Sequence, residues 1–97
     1  MCEFKIIKKK DGSQILEDII VLTYTDNNEL LFKDILGAGE ILDSALILEV
    51  NTLNQKCIVI EHPLIKDFLD LILDTNGKKS MKSKVTDFKS KLDDLLV

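Results

Sequence analysis

The hydrophobic period of this 97-residue chain changes at His62-Pro63, and that change separates what can be sheet from what can be helix. Ahead of it the apolar residues alternate or run in short β-branched blocks, as strands require. Glu3-Phe4-Lys5-Ile6 alternates with period two and sets Cys2, Phe4 and Ile6 on one face. Asp11-Gly12 reads as a two-residue hairpin turn, since both positions tolerate φ > 0. Ile15 to Tyr24 returns as a second strand, and its unbroken Ile19-Ile20-Val21-Leu22 predicts burial on both faces there. Asp26-Asn27-Asn28 makes the next turn, and Leu30 to Leu36 a third strand. Gly37-Ala38-Gly39 permits a sharp bend. Glu40 to Val50 reads as one fourth strand, Asn51 to Gln55 as a turn, and Lys56 to Glu61 as a fifth strand. Five short strands at this spacing predict a small antiparallel barrel, SH3-like, or a rolled sheet over residues 1–62.

Beyond the change, residues 63–97 predict a helical extension of the same domain. Pro63 suits the first position of a helix, where no N–H is needed. Leu64, Ile65, Phe68, Leu69, Leu71 and Ile72 form a wide apolar face that must pack on something. Asn76-Gly77 fits a helix end, and Ser80 an N-cap. Met81, Val85, Phe88, Leu92 and Leu95 then step by four, three, four and three. Lys78, Lys79, Lys82 and Lys84 crowd the start of this second helix, with Asp93 and Asp94 near its end. Both placements oppose the helix dipole, so packing within or between subunits must hold it.

Charge narrows the function. Residues 1–62 carry a net −5 and residues 63–97 a net +1, and all 13 basic residues are lysine. A nucleic-acid-binding barrel is usually basic and uses arginine forks and stacking aromatics. Here the barrel segment is acidic, and aromatic residues are only 5% of the chain. The early apolar run Ile19–Leu22 is too short to span a bilayer, and Lys5 and Lys8 to Lys10 interrupt any leader-like core. A cytoplasmic protein is therefore expected, with Cys2 and Cys57 as thiols.

Cys2 is the candidate metal ligand. On its own it reads first as a small apolar side chain beside Phe4 and Ile6. If Met1 is removed, however, its α-amine and thiolate can close a five-membered chelate ring. Two such ends across a two-fold axis offer two nitrogens and two sulfurs, a set suited to Ni(II), Cu or Zn. Cys57, inside Cys57-Ile58-Val59-Ile60, reads as core. His62 reads as a solvated junction residue, Lys8-Lys9-Lys10 as a wet hairpin end, and the lysines at 78–84 as a solvated helix start.

The Met1-Cys2 start, the Asp-Gly hairpin, Glu17-Asp18-Ile19-Ile20-Val21, Ile35-Leu36-Gly37, Ala45 to Val50 and Cys57 to Ile60 together resemble the CooT-type nickel-binding proteins. The likeness covers about residues 1–62. It implies a small dimeric β-barrel that binds nickel through Cys2 of each subunit, as a metallochaperone or nickel store in carbon monoxide dehydrogenase maturation. Relatives also carry the older label "predicted RNA-binding protein". The resemblance carries over Cys2 alone, and residues 63–97 are an addition to the shorter members.

The alternatives are an RNA-binding or protein-interaction module without metal. RNA binding is supported only by the lysines at 78–84 and opposed by the acidic barrel. An enzyme with Cys2 as nucleophile is not expected. The chain is short for such an architecture, has no arginine for a carboxylate substrate and offers no evident oxyanion donors.

Overall fold

The computed structural model describes residues 3–73 and 80–96. Its elements run β1 (Phe4–Lys8), β2 (Gln14–Tyr24), β3 (Leu30–Asp34), β4 (Gly39–Leu42), β5 (Ala45–Asn51), β6 (Lys56–Glu61), α1 (Pro63–Leu73) and α2 (Met81–Asp94). The six strands form one sheet in the order β4-β3-β2-β1-β6-β5. The expected five-stranded antiparallel barrel is thus corrected on three points. There are six strands, β1 and β6 run parallel, and the sheet is open between its edges β4 and β5.

The physical reason lies at Asp43-Ser44. The segment expected as one strand from Glu40 to Val50 breaks there into two strands at opposite edges of the sheet. β4 pairs with β3, whereas β5 starts a new hairpin with β6. Because β6 returns from that hairpin beside β1, it meets β1 parallel, with Ile6 opposite Cys57 and Ile7 opposite Ile58. The parallel pair therefore needs the whole of β2 to β5 as its crossover.

β2 carries the curvature. Glu17 and Asp18 together oppose Lys5, and Asp18 takes a left-handed φ of 58°. A second extra residue, Ile20, lies between the pairs Ile19–Asp34 and Val21–Lys33. Bulges bend and twist a strand, so β2 serves both halves of the sheet. They also correct the expectation of two-sided burial: Ile19 is buried, but Ile20 is 50% exposed and Val21 is exposed too. The unbroken apolar run reflects the inserted residue. At the far end of β2 the Tyr24 hydroxyl donates to the Ala45 carbonyl over 2.9 Å, tying the roll across to β5.

The core is Phe4, Ile6, Ile19, Leu30, Phe32, Ala45, Cys57 and Val59. The predicted alternation of β1 holds where it is described, with Phe4 and Ile6 buried and Lys5 exposed. The turns obey their chemistry with one adjustment. Only Gly12 has positive φ in the first hairpin, and Asp11 acts through its side chain, accepting from the Ser13 amide at 2.9 Å. The loop is therefore longer than two residues; the Gly12 amide closes back on Lys8. Gly37 (φ 88°) makes the β3–β4 bend, where the Asp34 carboxylate accepts from the Leu36 and Ala38 amides.

α1 begins at Pro63 and α2 is capped by Ser80, whose hydroxyl accepts from the Ser83 amide. The expected helix end at Asn76-Gly77 lies outside the described residues. The helices pack through Phe68 and Phe88, with ring centroids 6.0 Å apart, and through Lys91 and Asp67 at 2.8 Å. Neither helix buries an apolar residue fully.

Candidate functional site

The start of β1 is held from both sides. Phe4 lies opposite Ile19 of β2, and the Lys5 amide donates to the Gln55 carbonyl at 2.9 Å. Each flank carries a left-handed residue, Asp18 at the β2 bulge on one side and Gln55 (φ 54°) in the β5–β6 turn on the other. The Asp18 carbonyl in turn accepts from the Ile35 amide, which brings the β3–β4 bend to the same end of the sheet. Large apolar side chains stand in solvent here. Ile20 and Ile35 are half exposed, and Leu36 and Leu53 are about nine-tenths exposed at 89% and 90%. Such a cluster around a chain start is unusual for a surface meant only for water.

Cys2, the sequence-predicted ligand, lies outside the described residues. Among the described residues no group of three or more His, Cys, Asp or Glu is arranged to hold a metal ion. Cys57 is buried, as expected of a core residue. Burial pushes its thiol above the ordinary value of 9.0, which keeps the proton on sulfur and works against metal ligation.

The opposite end of β6 holds a second polar cluster, an open groove of about 300 Å³ lined by Asp43, Ser44, Glu61, His62 and Pro63. Its groups are already engaged. Glu61 pairs with Lys8 at 3.0 Å, and Lys66 reaches Asp43 at 3.1 Å and Glu29 at 3.9 Å. The hydrogen bond that the Lys66 ammonium donates to Asp43 holds it above its ordinary range, and the neighbouring carboxylates add to this. His62 is exposed, but it is more than a solvated junction residue. Its Nδ1 accepts from the Leu64 amide at 3.1 Å, which makes it the cap of α1. The Ser44 hydroxyl donates to the His62 carbonyl and accepts from the Lys66 amide at 2.9 Å. This cluster docks a helix on the sheet edge.

Sequence reasoning missed Ser44, because its partners are 18 to 22 residues away. It also read Asn28 as a plain turn residue. Asn28 has a left-handed φ of 61°, as turn chemistry predicts, but its buried side chain donates to Asp70 of α1 at 2.6 Å. No local pattern carries that contact.

Among the described residues no helix is long and apolar enough to cross a membrane. Residues 1–61 match the family model described as CO dehydrogenase accessory protein CooT. No curated protein matches the chain. The matched segment includes position 2 and stops where β6 ends, so both helices lie beyond it.

Proposed function

The chain belongs to the CooT family, and from that premise we propose that it is a nickel(II)-binding accessory protein of carbon monoxide dehydrogenase, acting as a homodimer that holds the ion through Cys2 of each subunit. In this role nickel is cargo, carried or stored for an enzyme client, and the protein itself is not a catalyst. The observation that carries the reading is the family match across residues 1–61, which takes in the second-position cysteine.

The surroundings of the β1 start support it. Two left-handed residues fix the backbone on either side, and the exposed Ile20, Ile35, Leu36 and Leu53 offer an apolar rim that a second subunit would cover. With Met1 removed, each Cys2 supplies a thiolate and an α-amine. The soft thiolates favour Ni(II), and also Cu or Zn, over hard cations. Both groups must lose protons to bind, so affinity falls as pH drops. A chain terminus is also a place from which an ion can be handed on.

Native mass spectrometry of the untagged, processed protein titrated with Ni(II) tests this. The expected species is one ion per two chains, absent in Cys2→Ala. Equal nickel binding by Cys2→Ala, or no nickel-bound dimer at neutral pH, overturns the assignment.

A further inference from the structure

We draw no further inference here: the strongest candidate, the exposed apolar patch of Leu46, Leu48 and Val50 on the edge strand β5, carries nothing, because nothing in the structure shows what covers it.

Discussion

The sheet and the helical hairpin are built to different standards of completeness. Between Phe4 and Val59 the sheet seals eight residues away from water. Across α1 and α2 no apolar residue reaches that state, although both helices have the periodicity to bury one face. The sheet is acidic and lies within the family match; the hairpin is slightly basic and lies beyond it. A helix takes most of its stability from packing an amphipathic face. The sheet carries both halves of its core on one chain. The hairpin leaves Phe68, Ile72, Met81, Val85, Leu92 and Leu95 about half exposed, so its apolar face is only partly covered within the chain.

The strongest way to break this comparison is to truncate one aromatic residue in each region. Phe32 is fully buried, so Phe32→Ala should cost ~3–5 kcal/mol and leave little stability in a domain this small. Phe88→Ala touches a ring contact on a half-covered surface. It should cost only about 1–2 kcal/mol, read from urea unfolding. Equal losses from both would mean that the hairpin belongs to the core.

The next effect depends on pH and sharpens the contrast within the sheet. Burial raises the Cys57 thiol from its ordinary 9.0 and also raises Tyr24, chiefly by desolvation, from its ordinary 10.0. Both are acids whose neutral form the folded state prefers. Their contribution is full below the unfolded value and is lost as pH rises through the raised one. Urea midpoints should therefore hold to about pH 9 and then fall. Each proton accounts for at most about 1.4 kcal/mol per pH unit. Cys57→Ala should lower the midpoint at pH 7 and flatten its decline above pH 9. An unchanged slope in that variant would show that Cys57 is not the titrating group.

Tyr24→Phe removes the tie from β2 to the Ala45 carbonyl and should cost about 1–1.5 kcal/mol. Ser44→Ala takes away the hydroxyl shared by the His62 carbonyl and the Lys66 amide, and should cost about 1 kcal/mol. Amide exchange separates the two variants. Tyr24→Phe should loosen β5 near Ala45, whereas Ser44→Ala should expose the first turn of α1 and leave the sheet protected.

What could be read in advance follows the reach of each interaction. Period two placed Phe4 and Ile6 inside, Pro63 marked the first residue of α1, and Ser80 marked the cap of α2. All of these are set by neighbours within a turn or a strand. The break at Asp43-Ser44 was hidden because Glu40 to Val50 has strand-like residues throughout, and only pairing with two different strands divides it. The parallel β1–β6 pair joins residues about 50 positions apart, for which no local pattern exists. The bulge at Ile20 imitates a doubly buried strand, since an inserted apolar residue and a two-sided strand give the same run of letters. The Met1-Cys2 start was legible only as a resemblance. The capping role of His62 required Leu64 to be seen in its helix, facing the ring.

The smallest effect tests what holds α2 in place. Lys91 and Asp67 meet at 2.8 Å, and the lysine side chain is largely in solvent. The Asp67 hydrogen bond and charge hold the ammonium above its ordinary range, but water screens an exposed pair heavily. A double-mutant cycle of Lys91→Met and Asp67→Asn should therefore return a coupling of about 0.5 kcal/mol or less, shrinking with salt. A coupling several times larger would mean that the ion pair anchors α2 to α1 by itself. A coupling near zero would assign the work to the Phe68–Phe88 contact.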